Sequence, residues 1–165
     1  MDKNVILVLD AIKDPRDMAQ MIHFAISQDM HIIITGKSIP PWHVMVSNII
    51  SSWLAGYQSD SGLLKKHVFV KTDYFKCMEK LKKDGYKLIG TSPNFGENLF
   101  THSFGTDKVA LIFGTESSGL SREKTSVLDG NVCVPMKNNT SFYTIGLIAP
   151  AIAFEAIRQN REAKR

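Results

Sequence analysis

Apolar residues along the chain fall into two patterns. Six short runs are almost unbroken: Val5 to Leu9, Ile32 to Thr35, Val68 to Val70, Leu88 to Thr91, Val109 to Phe113 and Val132 to Val134. Runs of this length without polar alternation suit strands buried on both faces, as in a parallel sheet. Between them the spacing becomes helical. Asp14-Pro15-Arg16-Asp17 reads as a helix start with Asp14 as N-cap and Pro15 in the first position, and Met18, Met21, Ile22, Ala25 and Ile26 then form one apolar stripe. Pro40-Pro41 opens a helix from Trp42 to Ala55, and Gly56 to Gly62 follows as loop. Thr72 or Asp73 caps a helix whose Phe75, Met78 and Leu81 face inward and which Gly85 stops. A loop with Pro93, Gly96 and Gly105 precedes the fifth run, and a short helix near Ser121 to Leu128 follows it. The last helix covers Ile145 to Arg161, with Pro150 kinking it or marking a late start.

Strands alternating with helices predict an α/β fold with a mainly parallel sheet of about six strands and flanking helices. Ligands bind such sheets beyond the carboxyl ends of the strands. The loops after Leu9, Gly90, Phe113 and Val134 are therefore the places to look for chemistry.

Composition narrows the class without changing this picture. At 165 residues, 44% hydrophobic and 22% charged, the chain matches an ordinary folded domain, read here as one domain over residues 1–165. The N-terminal apolar run is short and bracketed by acids, so neither a signal peptide nor a membrane span is expected. Cys77 and Cys133 stand far apart outside any C-x-x-C pattern, which suits a reducing, cytoplasmic setting. No His, Cys or carboxylate group has metal-ligand spacing, and no metal is expected. The net charge of +4 is modest, but it is uneven. Lys65 to Lys87 carries eight lysines against three acids, and Arg158 to Arg165 is also basic. These segments either solvate exposed helix faces or follow a phosphate backbone.

The loop Gly114-Thr-Glu116-Ser-Ser-Gly119-Leu120 places two glycines, an acid and three hydroxyls at a strand end, where backbone N–H groups can approach a ligand. It lacks the Gly-Lys-Ser/Thr ending of a phosphate-binding P-loop. Val134-Pro135-Met136 leaves a strand at a proline and enters the polar stretch Lys137 to Ser141.

Taken in order, these segments resemble the SpoU/TrmH-like branch of the SPOUT RNA ribose 2′-O-methyltransferases. The family's first motif is similar to Leu9-Asp10 through Asp14-Pro15-Arg16-Asp17 to His23-Phe24-Ala25. Its middle region is similar to Leu81-Lys-Lys-Asp-Gly85-Tyr86-Lys-Leu-Ile-Gly-Thr91. Its second motif is matched by Ala110 to Phe113 followed by Gly114-Thr-Glu116-Ser-Ser-Gly119-Leu120, and its third by Val134-Pro135-Met136 and Glu155-Ala156. The resemblance implies a SPOUT fold with a C-terminal trefoil knot, a homodimer, S-adenosylmethionine as cofactor, and tRNA or rRNA as substrate. By position, Thr91, Ser92, Phe113, Gly114, Glu116, Gly119, Val134, Pro135, Met136 and Ser141 would make the cofactor site. Glu116 also matches a glutamate near the family's dimer interface.

The catalytic set departs from the pattern. The family's first-motif Asn is Asp17 here, its glycine is Ala19, and its catalytic Arg falls on His23. In the third motif an ungapped count puts Phe142 and Thr144 at the Ser and Asn positions; a one-residue deletion puts Ser141 and Tyr143 there. His23 and Ser141 are the catalytic candidates, His23 as a general base because imidazole titrates near neutrality. Two functions remain open on these residues: an active RNA 2′-O-methyltransferase, or a lapsed SPOUT-like RNA-binding or assembly module that keeps the dimer, with or without cofactor binding.

Overall fold

The computed structural model describes residues 4–54, 57, 62–105, 108–115, 118–137 and 143–162. The chain forms, in order, β1 (Val5–Asp10), α1 (Pro15–Ser27), β2 (His31–Thr35), α2 (Val44–Trp53), α3 (Gly62–His67), β3 (Val68–Val70), α4 (Tyr74–Lys83), β4 (Tyr86–Thr91), β5 (Glu97–Asn98), β6 (Lys108–Phe113), α5 (Arg122–Thr125), β7 (Gly130–Cys133) and α6 (Ile145–Glu162).

Among the described residues seven strands make one sheet, in the order β3-β2-β1-β6-β4-β7-β5, and every pair is parallel. The six expected strands are present. The seventh, β5, has only two exposed residues and no apolar run to reveal it. Val134 lies just beyond the end of β7.

The absence of alternation in β1 follows from burial on both sides. Leu7 and Leu9 point into one core with Met18, Met21 and Ile22 of α1 and Ile152 and Ala156 of α6. Ile6 and Val8 point into the other with Tyr74, Met78 and Leu81 of α4. The sheet is thus covered by α1, α2 and α6 on one face and by α4 on the other.

Local signals set the helix ends. Asp14 caps α1, its carboxylate accepting from Arg16 N–H at 2.7 Å, with Pro15 in the first turn. Asp73 caps α4, accepting from Lys76 N–H at 3.1 Å. Gly85 follows α4 at φ +84, the left-handed conformation that ends a helix. The inward face of α4 differs from expectation in one residue: Tyr74, Cys77, Met78 and Leu81 are buried, while Phe75 is exposed. With the helix beginning at Tyr74, these four follow the i, i+3, i+4, i+7 rule and turn Phe75 outward. Burial pushes the Cys77 thiol up to about 11, so it stays protonated and inert.

Gly62 opens α3 where only loop was expected. The last helix runs through Pro150 from Ile145 instead of starting late. No helix among the described residues is long and apolar enough to cross a membrane.

Candidate functional site

The carboxyl ends of β4, β6 and β7 lie side by side, with Gly90 opposite Ile112 and Thr91 opposite Val132. The chain leaving each strand turns toward α6, whose first turns cover the same sheet face. A cavity, partly open to solvent, lies between them. Seven of the predicted site residues line it: Thr91, Ser92, Phe113, Gly114, Gly119, Val134 and Met136. They come from three segments separated by tens of residues, and the parallel sheet alone brings them together.

The sequence reading missed another part of the wall. Pro93, Thr115 and Val132 contribute beside the expected residues, and Ile145, Ile148 and Ile152 close the cavity from the α6 side together with Tyr143, which the gapped count sets at the third-motif Asn position. The signal was available as the apolar spacing 145, 148, 152, which reads equally as core packing; Ile145 and Ile152 are indeed also core residues.

The β6–α5 loop owes its shape to two glycines. Gly119 N–H donates to the Thr115 carbonyl at 2.7 Å, folding the loop back on itself. Gly119 adopts φ +62, and a Cβ on Gly114 would sit 2.3 Å from the Gly119 carbonyl carbon. Only glycine at 114 allows the two arms to touch. Thr115 Oγ1 and Ser118 Oγ share a hydrogen bond of 2.7 Å that joins the two arms. Across the cavity, Ser92 N–H donates to the Val132 carbonyl at 3.1 Å, and Thr91 Oγ1 donates to the Ile112 carbonyl at 3.3 Å.

Other predicted residues fall elsewhere. Pro135 is exposed and does not line the cavity. Glu116 and Ser141 lie outside the described residues. His23 sits half-buried on α1, its ring edge-on to Trp53 at 5.7 Å between centroids, and it too is absent from the cavity wall.

On the opposite sheet face a buried ion pair secures the far end of the same loop. Lys124 of α5 donates to the carboxylate of Asp10, which is only 3% exposed at the carboxyl end of β1. Thr35 Oγ1 donates to the other Asp10 oxygen at 3.0 Å, and the Lys124 ammonium lies 5.1 Å from the centre of the Tyr74 ring. Tyr74 in turn donates to the Lys124 carbonyl at 3.2 Å.

The basic segment is less basic in three dimensions than along the chain. Lys76, Lys80 and Lys83 pair with Asp73, Asp84 and Glu79 on the surface of α4. Lys66 and Lys82 pair with Asp29 and Asp129, which are remote in sequence. Such exposed pairs add little stability, but they cancel much of the field that a polyanion would feel. Arg158 is likewise held by Glu155 and Glu162. Among the described residues no group of three or more His, Cys, Asp or Glu side chains could hold a metal ion.

Comparison with known proteins agrees with the fold and the loop order. A model of the SpoU rRNA Methylase family matches residues 4–143. The 23S rRNA (guanosine-2′-O-)-methyltransferase RlmB of Ralstonia nicotianae is 24% identical over 155 residues, which are 94% of this chain and 59% of that protein. RlmB of Escherichia coli K12 is 23% identical, over 96% of this chain and 62% of that protein. The chain thus spans about three fifths of the length of these relatives. Among solved structures, the SpoU methyltransferase AviRb of Streptomyces viridochromogenes superposes with a TM-score of 0.81 at 21% identity, covering 98% of this chain and 62% of that one. The family match extends through all three loops that form the cavity wall, and the chain belongs to the SpoU rRNA Methylase family.

Proposed function

We propose that the cavity binds S-adenosylmethionine and that the chain is a cytoplasmic methyltransferase acting on the ribose 2′-hydroxyl of tRNA or rRNA. The observation that carries this reading is the convergence of Thr91, Ser92, Phe113, Gly114, Gly119, Val134 and Met136 on one cavity. When bound, the cofactor supplies an electrophilic methyl group on a sulfonium. The wall suits such a molecule: Val134, Ile145 and Ile148 offer apolar surface to a flat base, while Ser92, Thr115 and glycine backbone offer hydrogen bonds to a ribose. The side-chain-free cradle at Gly114 and Gly119 lets backbone groups come close. What this chain adds to the reaction is placement, since fixing two reactants in contact supplies on the order of 7 to 11 kcal/mol in the best oriented cases.

His23 is the candidate base. His23 is not part of the cavity wall of its own chain, and in this reading a second copy brings it to that copy's site. The reading therefore includes a homodimer. It is supported by the uncovered apolar stripe of α6, where Leu147 is 68% and Phe154 49% exposed, next to Phe24 with its ring 5.4 Å from that of Phe154. The reading also includes the trefoil knot, supported by the path of the chain from β4 out to β5 at the sheet edge, back to β6 on the other side of β4, and then to β7 between β4 and β5.

Calorimetry with S-adenosylhomocysteine tests the site, and transfer of labelled methyl to RNA from a strain lacking the protein tests the reaction. Absence of binding overturns the reading. Binding without transfer leaves the RNA-binding or assembly module, which the departures at Asp17 and His23 favour. Unchanged transfer by His23→Ala removes His23 from the mechanism.

A further inference from the structure

The connection from β4 to β6 presents two aromatic rings to solvent: Phe95 is 53% and Phe100 75% exposed. Single exposed hydrophobic residues are ordinary, but the way Phe95 is held is not. The Ser92 hydroxyl accepts the N–H groups of both Asn94 and Phe95 at 3.3 Å, closing a turn. Ser92 N–H is itself fixed to the Val132 carbonyl. On the other side of the ring, Gly96 at φ +123 packs so tightly on β7 that a Cβ there would come 2.6 Å from the Asn131 carbonyl oxygen. Phe95 is therefore held by backbone contacts both before and after it.

Position gives this fixed ring a use. Ser92 and Pro93 line the cavity, so Phe95 stands one hydrogen bond from its rim. Phe100 comes after β5 on a separate turn closed by Asn98 Oδ1, which accepts Phe100 N–H at 2.9 Å. The segment from Ser92 to Gly105 contains no lysine or arginine, and its one acid, Glu97, is paired with His102 at 2.7 Å. Such a surface is not built for phosphate. It offers a π face instead, and bases splayed out of single-stranded RNA are commonly caught on aromatic rings.

We propose that Phe95 is the stacking platform for the base of the nucleotide whose ribose enters the cavity mouth. The proposal rests on the methyltransferase reading: a ribose at the rim holds its base one glycosidic bond away, and the Ser92 turn that forms part of this rim carries the exposed Phe95 ring, outside the wall where Tyr143 lies. Stacking uses a feature common to all bases, so Phe95 contributes affinity for an unstacked nucleotide and leaves the choice of base to other contacts.

The test is the initial rate of labelled methyl transfer as a function of concentration of RNA from a strain lacking the protein. Phe95→Ala is expected to raise KM for RNA about tenfold, within the range of one lost base stack. Its affinity for S-adenosylhomocysteine stays within about twofold of the parent, and Phe95→Tyr and Phe95→Trp restore KM because they keep the π face. An unchanged KM in Phe95→Ala, an equal effect from Phe100→Ala, or a parallel loss of S-adenosylhomocysteine affinity overturns the platform. A lower sedimentation coefficient for Phe95→Ala also overturns it, by placing the ring at a protein interface. If the unsubstituted protein neither binds S-adenosylhomocysteine nor transfers methyl, the methyltransferase reading fails and takes the platform with it; failure in an active enzyme sinks the platform alone.

Discussion

A methyl group at position 114 has no room. In Gly114→Ala the new Cβ would meet backbone atoms of Gly119 and Leu120 at 2.3 to 2.6 Å, and backbone cannot rotate aside as a side chain can. The arms of the β6–α5 loop must part, and the cavity wall moves with them. We expect S-adenosylhomocysteine affinity to fall at least about tenfold by calorimetry while far-ultraviolet circular dichroism is retained, since the loop lies outside the sheet. Lys124 poses the opposite problem, a group whose removal leaves a need unmet. In Lys124→Met the Asp10 carboxylate, 3% exposed, keeps among the described residues only the Thr35 hydroxyl as partner. Breaking a buried pair from one side leaves an uncompensated charge, so unfolding in urea should show a loss on the order of 3 kcal/mol. Lys124→Arg, which keeps the charge, should lose less.

At the scale of elements, α6 carries both packing and a titrating group. Hydrogen bonding from Arg158, helped by Gln159, outweighs burial and holds the Glu155 carboxyl down at about 2. Its pKa in the unfolded chain is near the ordinary 4.5, so this contribution is complete above that value and disappears as pH falls toward 2. Glu155→Gln should therefore be less stable than the parent at pH 6, with the difference narrowing by pH 3 in thermal unfolding. The elements themselves were legible wherever one physical rule acted alone. β1 and β6 read as strands because both faces are buried, and α1 read from Asp14 and Pro15 because capping is local. β5 and α3 were illegible because two exposed residues and a six-residue helix are too short to show a period. Charge was misleading for a related reason: Lys82 and Asp129 look unrelated along the chain and become partners only through the fold. The cavity was half legible. Strand ends announced the loops and the family resemblance announced Thr91, Phe113 and Gly114 within them, but Ile148 and Ile152 serve as wall and as helix packing with one and the same apolar side chain.

For the whole molecule, the exposed stripe on α6 is the feature that one chain leaves unfinished. Phe154→Glu should place a charge in the proposed homodimer interface and shift sedimentation at micromolar concentration from dimer to monomer, whereas Phe75→Glu, on α4 against the other face of the sheet, should not. The sheet order has a consequence of a different kind, for synthesis. β6 lies between β1 and β4, although all of β2 to β5 precede it in the chain. Until Lys108 to Phe113 leaves the ribosome, the Val- and Ile-rich edge of β1 and both edges of β4 have no partner. Such edges invite pairing with other nascent chains, and contacts this distant in sequence form slowly. A chain truncated before Lys108 should accumulate as insoluble material, and in the cell the growing polypeptide is a natural client for a chaperone that shields strand edges until the central strand arrives.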